Sequence, residues 1–219
     1  MSTAAGMQTA AAQPEVNELL QSLAHELRQP LGAIDSISYY LDLVLPRDDG
    51  RAREQSSRLH ALVQQCSWIL SCALEMAEER PIAPQLLSLE ELLTQALGAM
   101  RGANAEPNFK LDLAGELPLI QLDPQRGYRM VEHLTALFLP LSSDTYPAHA
   151  RTRTLEGSVV LEMTVATPGH SSEAALCAGS TMAVASIRRA AEAHKGSFAF
   201  QVDANTGVRG RLLLPASSD

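Results

Sequence analysis

The sequence predicts an α+β protein. A long antiparallel helical hairpin, which pairs with a second copy as a four-helix bundle, is followed by a small two-layer α/β sandwich. Three observations predict it. Two stretches of helical apolar periodicity are joined by the turn Pro46-Arg47-Asp48-Asp49-Gly50. The run Arg80-Pro81-Ile82-Ala83-Pro84 then interrupts the pattern. Beyond it, short helical and strand-like segments alternate to the end of the 219 residues, and a hydrophobic content of 46% suffices for one sizeable domain or two small ones. The expected organisation is a flexible tail over 1–13, the hairpin over 14–80, a linker over 81–84 and the second domain over 85–219.

The first helix is expected from Glu15 to Leu45. Leu20, Leu23, Leu27, Leu31 and Ile34 recur at spacings of three and four and so make one apolar stripe. Pro30 removes one backbone donor, which predicts a local kink. A second helix is expected from Arg51 to Glu79, with Leu59, Leu62, Cys66, Ile69, Ala73 and Met76 as its stripe. Two such helices joined by a short turn form a hairpin that cannot close a core alone, so a homodimer is expected.

In the second domain, Ser88-Leu89-Glu90-Glu91 is a capping box that opens a helix to Met100. Asn108 to Leu113 and Leu117 to Leu122 read as strands. Asp123-Pro124 starts a helix to Leu139, with Asp as N-cap and Pro at the first position. Val159 to Val165 alternates as a strand after a turn at Glu156-Gly157. Ser180 to His194 reads as a helix stopped by Gly196. Ser197 to Val202 and Val208 to Leu214 form a closing hairpin.

Composition excludes some function classes. The formal net charge of -8 argues against nucleic acid or an anionic membrane as a bulk electrostatic partner. No apolar run approaches the ~20 residues that span a bilayer. The segment Met1 to Gln13 has no basic residue and is a poor signal peptide. Cys66, Cys72 and Cys177 make no metal pattern and read as reduced packing residues, so a cytoplasmic location is expected.

The residues with a chemical signature lie in Leu23-Ala24-His25-Glu26-Leu27-Arg28-Gln29-Pro30-Leu31-Gly32-Ala33-Ile34. His25 lies about 200° round the helix from Leu23 and Leu27, at roughly 100° per residue. Its neighbours three and four residues away are Gln21, Ser22, Arg28 and Gln29, so the imidazole stands on a polar face. Glu26 sets a carboxylate beside it, and Gly32 leaves the face open two turns on. His60 reads as a solvated helix residue, His149 and His170 as loop residues, and Arg188-Arg189 as an exposed helix face.

This stretch closely resembles the H-box of bacterial sensor histidine kinases, in its H-E-x-x-Q-P-L form. The resemblance implies that His25 takes a phosphoryl group and exchanges it with an aspartate of a response-regulator receiver domain. It also implies that Glu26 orients the imidazole, that Gln29 acts near the receiver's phosphate, and that Gln21, Ser22, Arg28 and Gly32 meet the receiver.

The second domain resembles the GHKL-type ATP-binding domain of the same kinases, with the nucleotide residues altered. The helix that begins Asp123-Pro124 places His133 and Leu137 at the family's two asparagine positions. The Asp-x-Gly-x-Gly motif becomes Thr167-Pro168-Gly169-His170-Ser171, and the Gly-rich loop becomes Gly179-Ser180-Thr181-Met182. Leu137 has no donor atom for Mg²⁺, which seeks oxygen ligands. Thr167 lacks the adenine-reading carboxylate, and Thr181 crowds a loop that needs glycine for close backbone approach. The expectation is a histidine phosphotransferase on a decayed kinase scaffold, with no cofactor of its own and no ATP. Mg²⁺ would come from the receiver, and the phosphoryl group from an upstream hybrid kinase. Two alternatives remain: an active kinase with a divergent ATP site, and a non-catalytic regulator that binds a kinase or a receiver.

Overall fold

A computed structural model describes residues 5–46, 48–78, 80–101, 108–166, 180–203 and 205–217. The chain divides into two compact units, 1–79 and 80–219.

The first unit is a pair of helices, α1 (Ala5–Val44) and α2 (Gly50–Ala77). Helix α1 begins ten residues before the expected Glu15 and takes in most of the stretch expected as a tail. The alanines there are the strongest helix formers. The helix assignment continues through Pro30 without a break. Asp49 caps α2, its side chain accepting from Ala52 N at 3.0 Å. The Arg53 guanidinium donates to Leu45 O at 2.7 Å and Pro46 O at 3.1 Å, satisfying carbonyls that the end of α1 leaves free.

The seam inside the hairpin is built from small residues. Ser38 Oγ donates to Ser56 O and Ser56 Oγ donates to Ser38 O, both at 3.1 Å, and both serines are buried. Reciprocal bonds of this kind require a close approach of the two backbones. The fully buried residues of α2 are Ser56, Val63, Cys72 and Ala77. These are not the expected stripe: Leu62 is 50% exposed, Cys66 is exposed, and Leu59, Ile69, Ala73 and Met76 are half-buried. On α1, Leu19, Leu23, Leu27, Ile34 and Ile37 are likewise exposed. The face that carries the serine pair forms the seam. The apolar stripes are left largely uncovered.

The second unit layers helices on a mixed five-stranded sheet. Its elements are β1 (Gln85–Leu87), α3 (Leu89–Arg101), β2 (Phe109–Asp112), β3 (Ile120–Leu122), α4 (Pro124–Phe138), β4 (Ala148–Leu155), β5 (Ser158–Val165), α5 (Ser180–Ala193), β6 (Ser197–Asp203) and β7 (Gly207–Pro215). The sheet order is β2-β4-β5-β7-β6, parallel only between β2 and β4, while β1 and β3 pair separately. Ser88 Oγ accepts from Glu91 N at 3.3 Å and opens α3. Helix α4 lies over β7, where a side chain at Gly210 would meet Leu134 and Phe138 at 3.1 Å. Phe138 also packs edge-on against Phe200, with ring centroids 6.3 Å apart. Gly196 is obligatory, because a Cβ there would stand 2.3 Å from Leu213 O.

Strand β4 was not expected. Its inward positions are Ala148, Ala150 and Thr152, and the residues between them are His149, Arg151 and Arg153. The strand therefore carries too little apolar contrast to announce itself. The turn Glu156-Gly157, with φ of 47° and 75°, joins it to β5 as a tight hairpin.

Candidate functional site

On α1, His25, Glu26, Gln21, Ser22, Arg28, Gln29 and Gly32 are all exposed. At roughly 100° per residue, all of them except Glu26 fall within about 60° of the His25 direction. A Cβ at Gly32 would meet nothing within 4 Å, so this face has open space beside the imidazole. His25 and Glu26 share no hydrogen bond among the described residues. Consecutive helical side chains diverge by about 100°, so a carboxylate at the next position reaches the ring only through a rotamer change.

About half a turn from His25, α1 and α2 leave an apolar groove of about 340 Å³ lined by Leu27, Pro30, Leu31, Ile34, Cys66, Ile69 and Leu70. The hairpin thus presents a polar face bearing the histidine and an apolar face bearing the groove. His60, expected as a solvated residue, instead faces α1. Its Nδ1 lies 2.8 Å from Asp35 Oδ1. That oxygen still makes no hydrogen bond, so the contact is an electrostatic pairing off the N–H direction.

In the second unit, the two positions that would hold asparagines are inside the core. His133 is 1% exposed and Leu137 is 3% exposed. Leu137 offers no ligand atom, and His133 is a buried nitrogen donor on α4. Neither side chain offers an oxygen, the ligand that Mg²⁺ seeks. Thr181 is exposed on the first turn of α5. Thr167, Gly169 and Gly179 lie outside the described residues, as do His170 and Cys177. Among the described residues, no cluster of His, Cys, Asp and Glu is placed to hold a metal ion.

The N-terminus of α4 carries a polar network that sequence reasoning saw only as a cap. Asp123 Oδ1 accepts from Gln125 N and Arg126 N at 3.1 Å and from the Arg80 guanidinium at 3.0 Å. Its Oδ2 accepts from Ala83 N at 3.2 Å. Arg126 closes the ring by donating to Arg80 O at 2.6 Å. Burial pushes the Asp123 carboxyl up. The backbone N–H groups of Arg126 and Ala83, the Arg80 charge and Gln125 N outweigh it, so the group sits below the usual carboxylate range. His194 is buried beside it, its Nε2 accepting from Asp123 N at 3.0 Å. Its Nδ1 must then carry the hydrogen, which it donates to Ala190 O at 2.8 Å. A 330 Å³ concavity adjoins His194, lined also by Ile82, Gln121 and Lys195. Both ring nitrogens are already used, so the histidine contributes no free chemistry there. The sequence showed the Asp-Pro cap, but Arg80 and His194 lie 43 and 71 residues away from it.

No protein-family model and no curated protein matches the chain. Solved structures do. Full-length ShkA in complex with AMPPNP is similar over 92% of this chain, with a TM-score of 0.62 and 17% identity. The chain spans 46% of that protein's length. The histidine kinase ThkA, solved in complex with the response regulator TrrA, is similar over 91% of this chain and 61% of its own, with a TM-score of 0.59 and 16% identity. The Acinetobacter baumannii histidine kinase AdeS is similar over 89% of this chain and 98% of its own, with a TM-score of 0.55 and 14% identity. At these identities the likeness is one of fold. The chain has the fold of the sensor histidine kinases, a helical hairpin followed by a GHKL-type α/β domain.

Proposed function

We propose that the chain is a phosphorelay protein in which His25 exchanges a phosphoryl group with receiver aspartates, without using ATP. The observation that carries this reading is the exposed His25 face, polar and open at Gly32, on a helix whose opposite side is apolar. The unprotonated ring nitrogen attacks the phosphorus of a receiver's aspartyl phosphate. The P–O bond to the carboxyl breaks, the N–P bond forms, and the carboxylate leaves with the electron pair. The ring's other nitrogen keeps its proton, and Glu26 accepts a hydrogen bond from it, as carboxylates do for other catalytic histidines. Transfer to a second receiver reverses these bond changes. Phosphoryl transfer depends mainly on positioning and charge stabilisation, so the chain needs little further machinery, and the receiver supplies Mg²⁺.

The ATP-independent part of the reading is supported by Leu137 and His133. Dimerisation is supported by the uncovered apolar stripes and the groove between Leu27 and Ile69. Gln21, Ser22, Arg28 and Gly32 are the proposed receiver contacts, and the proposed role of Gln29, one turn from His25, is to orient a water towards the aspartyl phosphate. The test is incubation with phosphorylated receivers and, separately, with labelled ATP and Mg²⁺. The reading requires label on His25 from the first and none from the second. Label from ATP indicates an active kinase, and label from neither a non-catalytic binder.

A further inference from the structure

The concavity beside His194 lies wholly in the second unit, away from the altered nucleotide positions. It adjoins Ala193, the last residue of α5. At ~1.5 Å per residue that is about 18 Å along the helix from Thr181. Its volume of about 330 Å³ falls at the lower end of the range for small-ligand sites, roughly 300–1,000 Å³. Ile82, Pro84, Pro215 and Ala216 give it apolar walls. Leu86 stands directly opposite Gln121 in the β1–β3 register, on the same face. It is 54% exposed and extends the apolar rim.

The polar groups are of one kind. Gln121, Lys195 and Ser217 line the concavity, and no Asp or Glu does so among the described residues. None of these three side chains has a hydrogen-bond or ion-pair partner among the described residues. All three can donate, and one carries a positive charge. The neighbouring acceptors are largely used. His194 Nδ1 donates to Ala190 O, Gly196 N to Ala191 O and Lys195 N to Glu192 O, so three of the last four carbonyls of α5 are satisfied.

The backbone at Lys195 is strained. The bonds from Gly196 N to Ala191 O and from Lys195 N to Glu192 O form a Schellman ending, which sets Lys195 at its left-handed position with φ of 61°. Glycine takes that conformation without strain, and a lysine there is uncommon. Such strain is concentrated at functional sites. Here it accompanies an ammonium placed on an otherwise apolar concavity.

We propose that this concavity binds a small apolar molecule bearing a single carboxylate. Lys195 pairs with the carboxylate, Gln121 and Ser217 donate hydrogen bonds to it, and the carbon body lies against Ile82, Pro84 and Pro215. A nucleotide fits less well, because its phosphates carry more charge than one ammonium offsets. Both ring nitrogens of His194 are occupied, so the site binds its ligand and does not transform it.

The test is isothermal titration calorimetry of the full chain at pH 7 with benzoate and hexanoate, and with benzamide and hexylamine as uncharged and cationic counterparts. At least one acid should bind with a Kd of about 1 mM or tighter, which a ligand of this size reaches at ordinary efficiency. Its counterpart should bind about tenfold more weakly or worse. Lys195→Met should weaken the acid about tenfold, whereas Lys195→Arg, which keeps the charge, should weaken it by no more than about threefold. Lys195→Gly should lose the acid to the same extent as Lys195→Met while its Tm stays level or rises, because the backbone strain is relieved. Failure of both acids to bind at 10 mM overturns the proposal. So does an amine that binds as tightly as the acid, or an acid affinity left unchanged in Lys195→Met and Lys195→Gly.

Discussion

Removing the Asp123 carboxylate should weaken the second unit by a definite amount and leave the hairpin alone. In Asp123→Ala the cap of α4 loses its bonds to Gln125 N and Arg126 N. Loss of an N-cap costs typically ~1 kcal/mol. Ala83 N, part-buried, loses its acceptor, and stranding such a donor costs roughly 1 kcal/mol more. The Arg80 side chain is 41% exposed, so solvent screens that ion pair and its share is below ~1 kcal/mol. One carboxylate serves all four bonds, so the terms do not simply add, and the total is roughly 2–3 kcal/mol. For a unit of this size that lowers Tm by about 5–10 °C. Asp123→Asn keeps an oxygen at the cap and should cost less than half as much. The assay is thermal melting followed by circular dichroism and by fluorescence. The single tryptophan, Trp68, lies in helix α2 and reports on the hairpin. The dichroism transition should move while the fluorescence transition does not. The pH dependence has a fixed sign. The folded carboxyl is held below its unfolded value, so its stabilisation is complete above the unfolded pKa of about 3.9 and is lost as pH falls through the lower folded value. The gap between wild type and Asp123→Asn should be constant from pH 7 to pH 5 and close only below about pH 4. A Tm shift under about 1 °C for Asp123→Ala, or a gap that closes near neutral pH, would refute this reasoning.

Three further outcomes follow from the two faces of the hairpin and the altered nucleotide positions. Light scattering should show a dimer at micromolar concentration, and Leu27→Glu with Ile34→Glu should yield monomers, because those side chains line the uncovered groove. Calorimetry at millimolar ATP with Mg²⁺ should detect no binding; clear binding would favour the kinase alternative. Gln29→Ala should lengthen the lifetime of receiver phosphate, and an unchanged lifetime removes Gln29 from the reaction.

The hairpin was legible because its stripes follow the helical period over many turns. His25 stood out because its polar face is offset from those stripes. The seam between α1 and α2 was not legible, since it is set by Ser38 and Ser56, two small polar residues that a search for apolar periodicity passes over. Strand β4 was hidden for a related reason. Its inward residues are Ala148, Ala150 and Thr152, and its outward residues are His149, Arg151 and Arg153. The Asp-Pro cap of α4 showed in the sequence, but not the ring that ties Arg80, Ala83 and His194 to it, because those contacts are made by residues remote in the chain. The pairing of His60 with Asp35 was missed because it depends on the rotation of one helix against the other.

The central claim is that His25 carries the phosphoryl group. The direct measurement is the site of labelling after incubation with a phosphorylated receiver, by acid and base treatment followed by peptide mapping. An acid-labile, base-stable adduct is expected on the peptide containing His25. Its loss is expected in His25→Ala with fold and dimer intact, since an exposed substitution usually changes stability by about 0.5 kcal/mol or less. An adduct that persists in His25→Ala, or that maps to His133 or His194, would contradict it.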